Sequence, residues 1–145
     1  MRIAVIALLL TSAWATGGRL EPQGTEGPVW DLQFIRTKPN QRDAYLLSLK
    51  QKSKPVWDEE KRQGLILDYK VFDNLAQHDA QDWDIEIAIE YRNFAGLDGF
   101  EAKERQIAAN LNGSQPDAVI QKLGAPRVEM REIVATKIIQ EIVLK

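Results

Sequence analysis

The run Glu132 to Leu144 (EIVATKIIQEIVL) constrains the fold more than any other stretch of the chain. It is rich in β-branched residues and apolar on both phases of a two-residue repeat. Ile133, Ala135, Ile139 and Val143 fall on one phase, and Val134, Ile138, Ile142 and Leu144 on the other. Side chains alternate across a strand, so a strand of this kind has no face suited to water. The sheet that contains it needs cover on both sides.

Cover cannot come from covalent staples, because the chain has no cysteine. With 145 residues, 44% of them apolar and 28% charged, it is long enough for one self-sufficient core. Val29 to Arg36 alternates, with Trp30, Leu32 and Phe34 on one face and Asp31 and Gln33 on the other, which predicts a first strand. Beyond Pro39, Asn40 is suited to cap a helix in which Tyr45, Leu46, Leu49, Val56 and Trp57 form one apolar stripe. Pro55 predicts a kink or break in that helix, and Gly64 its end. Within it, Asp58 to Arg62 (DEEKR) reads as a solvated, ion-paired face.

Leu65 to Phe72 and Trp83 to Tyr91 are strand-like and joined by a polar loop, 73–82, that holds the lone histidine, His78. Phe100 to Leu111 is helical, with Ile107, Ala108 and Leu111 one turn apart. A short helix over Asp117 to Leu123 is expected to stop at Gly124, with Pro126 preventing its continuation. The order is β-α-β-β-α-β, an α+β ferredoxin-like arrangement: a four-stranded antiparallel sheet with helices on one face. The doubly apolar last strand then asks for a second copy against the other face.

Two such sheets packed face to face form the dimeric α+β barrel, and from Trp30 to Lys145 the chain resembles that superfamily, its small exported members without assigned activity in particular. Lys54, Pro55, Val56 and Trp57 leading to Gly64, Tyr69 in the next strand, and the stretch Asn93 to Asp98 (NFAGLD) carry the resemblance. It implies a homodimer, with a ligand between sheet and helices on surfaces carrying Trp30, Phe34, Trp57, Tyr69 and Tyr91. The superfamily includes cofactor-independent monooxygenases, haem-degrading enzymes and muconolactone isomerase-like proteins, so the resemblance fixes a fold and not a reaction. The haem-degrading members depend on a histidine on or near a helix, whereas His78 falls in a loop; no cofactor is expected.

At the N-terminus, Met1 and Arg2 precede an apolar run, Ile3 to Leu10, and Ala13 and Ala15 suit a cleavage site, the pattern of a secretory signal peptide over residues 1–15. Eight residues make a helix of about 12 Å, too short for a hydrocarbon core of about 30 Å. The mature chain is therefore expected to be periplasmic or secreted, with no membrane partner after cleavage. Thr16 to Pro28, rich in glycine and proline, reads as a flexible leader, and the domain as 29–145. Formal net charge is -2, with no basic field to attract nucleic acid.

Chemistry-bearing clusters are few. His78, Asp79, Asp82 and Asp84 could offer metal donors, but no EF-hand spacing links them, and they read as a solvated loop with no metal. Asp84, Glu86 and Glu90, with Asp68 opposite, could raise one another's pKa, or could sit at a dimer rim beside Lys70 and Lys137. The reading is an exported homodimer that binds a small, partly aromatic or apolar molecule. The alternatives are a cofactor-independent oxygenase or isomerase using Tyr69 or Glu86 as acid or base, and a non-catalytic interaction module. Processing after Ala15 is checked by N-terminal sequencing of the chain from an exporting host: Thr16 should be the first residue, and a retained Met1 would contradict the export signal.

Overall fold

The computed structural model describes residues 24–76, 79, 82–113 and 115–144; the expected signal peptide, the expected leader up to residue 23 and His78 lie outside them. Four strands, β1 (Gly24–Thr37), β2 (Asp68–Asp73), β3 (Ile85–Tyr91) and β4 (Arg131–Leu144), form one antiparallel sheet in the order β2-β3-β1-β4. The helices are α1 (Arg42–Ser48), a π-helical turn (Leu49–Ser53), α2 (Lys54–Arg62), a 3₁₀ turn (Phe94–Leu97), α3 (Phe100–Asn112) and α4 (Pro116–Val128). Strand order and pairing are those of the ferredoxin-like arrangement expected from the sequence, with α4 added before the last strand.

The break expected at Pro55 falls one turn earlier, where a π-helical turn separates α1 from α2. In the π-helical turn the Lys54 N–H donates to the Leu49 carbonyl, five residues back, and Pro55 then stands in the first turn of α2, where its missing N–H costs nothing. Tyr45, Leu49, Ser53, Val56 and Glu60 are the buried positions along the whole length. Two of the five are polar, and Glu60 lies inside the stretch expected to be solvated. Glu59 and Arg62 do form the expected surface pair.

Several boundaries differ from expectation for local reasons. β1 begins at Gly24, so residues 24–28 of the expected leader are strand, paired with the end of β4. A register shift between Glu26 and Val29 holds Gly27 and Pro28, so the proline occupies an irregularity where a ladder N–H is not required. A Cβ on Gly27 would lie 3.0 Å from the Glu141 Cβ, which keeps glycine there. β2 starts three residues late because the Leu65 N–H is already donated to the Glu60 carbonyl at the helix end. Pro126 lies inside α4 rather than ending it; so near the C-terminus it removes a bond only from the last turn. Leu111 is exposed, and Ala109 is buried beside Ile107 and Ala108.

The main departure concerns which face of β1 meets the helices. β3 must turn Ile85, Ile87, Ile89 and Tyr91 inward, since its alternate row is Glu86, Ala88 and Glu90. The register Val29↔Tyr91, Asp31↔Ile89, Gln33↔Ile87 and Ile35↔Ile85 then places Val29, Asp31, Gln33 and Ile35 on the helix face. Trp30, Leu32 and Phe34 point the other way, onto the face no helix covers. The core therefore divides. One cluster gathers Ile35, Tyr45, Leu49, Ile85 and Ile87 at one end of β1, and another Val29, Ile66 and Tyr91 at the other. Between them the helix-facing row of β1 is polar.

β4 departs from strict alternation as well. Its partners jump from Ala135 to Ile133, so Val134 is an extra residue that switches the phase, and Ile133 joins Ile35 on the helix side. This accounts for part of the doubly apolar pattern. Most of it stays uncovered within one chain, with Ile133, Ile138, Ile139, Ile142, Val143 and Leu144 all exposed.

Candidate functional site

A cleft of about 560 Å³ opens between sheet and helices where the core divides. The sheet contributes Asp31, Gln33, Ile87, Ile89 and Tyr91 to it; the first helical segment contributes Ser53, Val56, Trp57 and Glu60. Leu97 and Phe100, with Glu104 further along α3, close the other side, and Arg127 and Arg131 stand at the junction of α4 and β4. Phe100 meets Tyr91 edge-on at a ring separation of 5.1 Å. An apolar and aromatic wall thus faces a small set of convergent polar groups, the make-up of a small-molecule site.

The polar groups are unusual in their partners. Among the described residues, four buried side-chain polar atoms lack a hydrogen-bond partner: Asp31 Oδ1, Glu60 Oε1, Arg131 Nε and Tyr45 Oη. The first three belong to residues that line the cleft. Glu60 is only 1% exposed, and burial, reinforced by the charge of Glu104, pushes its carboxyl from an ordinary 4.5 up to about 8. Burial raises Asp31 and Glu104 in the same direction. The Tyr91 hydroxyl is raised by burial first and then by the charges of Asp31, Glu60 and Glu104. At the other end, Arg127 Nη1 donates to Ser53 Oγ at 2.8 Å, and the Arg131 guanidinium lies 5.8 Å from the centre of the Tyr45 ring.

Of the residues expected to bind a ligand, Trp57 and Tyr91 line this cleft. Tyr69 is on the same side of the sheet, its ring 5.1 Å from Trp57, but its hydroxyl is turned outward and donates to Asp58 Oδ1 at 2.6 Å. Trp30 and Phe34 are on the opposite face. There Lys70 Nζ lies 5.1 Å from the centre of the Trp30 ring and Lys137 Nζ 5.6 Å from that of Phe34, while Trp83 meets Phe34 edge-on. Tyr69 and Glu86 cannot serve one reaction, because Glu86 pairs with Phe34 and Phe72 on the uncovered face. Burial raises the Glu86 carboxyl there.

Asp84, Asp82 and Asp68 have structural partners. Asp84 accepts from both the N–H and the hydroxyl of Thr37, fastening the start of β3 to the end of β1. Asp82 accepts from the Trp83 N–H at 2.8 Å, and Asp68 pairs with Lys61 at 2.7 Å. No group of three or more histidine, aspartate or glutamate side chains among the described residues is arranged to hold a metal ion. Glu60 and Asp31 were not singled out by the sequence. The available signal was spacing: Glu60 follows Val56 by four residues on the buried stripe.

No family model and no curated protein matches the chain. Solved structures do. It is similar to a dimeric protein of unknown function and ferredoxin-like fold from Bacteroides fragilis, at 13% identity over 80% of this chain and 96% of that one, with a TM-score of 0.46. It is also similar to a dimeric ferredoxin-like protein from an uncultured marine organism, at 12% identity over 83% and 90% of the two chains and a TM-score of 0.47. A third, from Thermobifida fusca and of unknown function, shares 15% identity over 86% and 97%, with a TM-score of 0.41. The description of this chain as ferredoxin-like rests on its own strand order.

Glu60 gives the stability of the chain a pH dependence of known sign. Its folded pKa lies above the unfolded one, so its contribution is fully present below about pH 4.5 and lost as pH rises through about 8. Glu60→Gln should flatten that decline and raise stability near pH 9 by on the order of a few kcal/mol. Urea unfolding of both forms across this range checks it; parallel curves would contradict the buried, unpaired carboxyl.

Proposed function

We propose that the mature chain is an exported homodimer whose subunits each bind a small, partly aromatic molecule in the cleft between sheet and helices. The observation that carries the binding reading is the cleft with its three partnerless polar atoms. A buried polar atom without a partner costs about 1–3 kcal/mol, and a chain that keeps three along one cleft is suited to an occupant that supplies partners. Trp57 and Phe100 offer the flat apolar wall against which such a molecule would pack.

The uncovered sheet face supports self-association. Trp30, Leu32 and Phe34 in β1 and Ile139 in β4 form an apolar band, edged by Lys70 and Lys137 on one hand and Glu86 and Glu90 on the other. Both signs of charge on a single face suit an isologous pairing, in which each cation of one copy can meet an anion of the other. The paired ends of β1 and β4, with exposed Ile142, Val143 and Leu144, extend beyond β3 and add to the surface a second copy would cover. An enzymatic reading is favoured by one observation, the Glu60 carboxyl held at about 8, where it can take up or release a proton near neutral pH.

Both parts are testable. Leu32→Glu sets a charge in the apolar band, and by sedimentation it should turn a dimer into a folded monomer; wild-type monomer at micromolar concentration would contradict the pairing. Gly124 lies in the cleft wall inside α4, where an added Cβ meets nothing within 4 Å. Gly124→Leu should raise thermal stability, as glycine costs a helix about 1 kcal/mol. It should also abolish the thermal shift produced by those members of a panel of small aromatic amines, alcohols and acids that stabilise the wild type. Stabilisation that survives the substitution would place the binding elsewhere.

A further inference from the structure

The cleft carries charges of both signs, and their partners decide which part of a ligand it reads. Arg127 is held by Ser53, and the Arg131 guanidinium faces the Tyr45 ring, its Nε buried without an acceptor. On the carboxyl side nothing comparable ties the oxygens. Glu60 Oε1 projects from α2 and Asp31 Oδ1 from β1, both buried and both without a donor. They line one cleft from opposite walls, helix and sheet, and Tyr91 and Glu104 line it too.

Resting on the proposed binding in this cleft, we infer that the ligand carries a primary amine on an aromatic or apolar body, with the ammonium group seated between Glu60 and Asp31 and the body against Trp57 and Phe100. An ammonium group has three donors and no acceptor. Its three donors can serve the orphan oxygens of either wall, whereas a hydroxyl offers a single donor. Its positive charge also lets Glu60, protonated while the cleft is empty, release its proton to solvent, and charge-assisted bonds of this kind are about twice as strong as neutral ones. Arg127 and Arg131 leave room for a second, anionic group at the far end of the cleft, so a carboxylate probe is the necessary rival.

Three probes of one shape separate the cases: 2-phenylethylamine, 2-phenylethanol and 3-phenylpropionate, titrated calorimetrically into the dimer. The amine should bind about tenfold more tightly than the alcohol, the margin expected for exchanging a neutral for a charge-assisted bond. Glu60→Gln should erase that margin, and Asp31→Asn should reduce it. Thermal unfolding of both variants verifies that they remain folded. Equal binding of all three probes, or tightest binding of the carboxylate, lost in Trp57→Ala, would overturn the amine and leave the cleft as the binding site. No saturable binding of any probe would overturn both.

Discussion

The phase of β1 is the constraint on which the rest of this molecule depends. Its two rows are nearly matched in apolar content, with Val29 and Ile35 on one and Trp30, Leu32 and Phe34 on the other. The strand does not choose between them. β3 chooses, because Ile85, Ile87, Ile89 and Tyr91 have no alternative to the helix side, and seven paired positions then fix β1 against it. Slipping the register by one residue would bring three large apolar side chains inward and turn Asp31 and Gln33 out. The observed phase does the reverse: it builds a polar gap into the centre of the core and an apolar band on the far side of the same strand.

The gap is expensive and the band is exposed, and each makes sense through what it can take up. Burying a carboxyl without a partner is costly, and the protein limits the cost by keeping Glu60 protonated up to about pH 8. A chain selected for stability alone would place an apolar side chain there, since the neighbouring stripe positions Tyr45, Leu49 and Val56 already supply a wall. Retaining polarity at that point is the trade of stability for a site that the proposed binding requires. The apolar band and the extended ends of β1 and β4 have the same character on the opposite face. They add nothing to the stability of one chain, and they bury apolar area only when a second surface arrives.

Much of the fold was legible in the residues because the strong signals agreed. The rows of β3, the stripe of α1 and α2, and Ile107 with Ala108 in α3 all gave a period that one element type satisfies. What the sequence left open has physical causes. Alternation identifies two faces without saying which is inner when both carry apolar residues, hence the reversed placing of Trp30 and Phe34. A phase switch such as that at Val134 cannot be seen in composition. Glu60 was hidden by its neighbours, because Asp58, Glu59, Lys61 and Arg62 do lie on the solvated side and only the four-residue step from Val56 sets Glu60 apart. Trp57 and Tyr91 were legible as cleft residues because their own rows point inward on any pairing.

The absence of cysteine from the chain makes the separation of the two faces of β1 directly measurable. Single cysteines at the adjacent positions Leu32 and Gln33 report on the uncovered face and the cleft respectively, and their rates of reaction with a small thiol reagent can be followed as the protein is concentrated. The account predicts that Leu32→Cys becomes protected as the dimer forms, while Gln33→Cys reacts at a rate independent of protein concentration. Protection of Gln33→Cys with Leu32→Cys unaffected would contradict the assignment of the two faces, and with it the cleft and the dimer together.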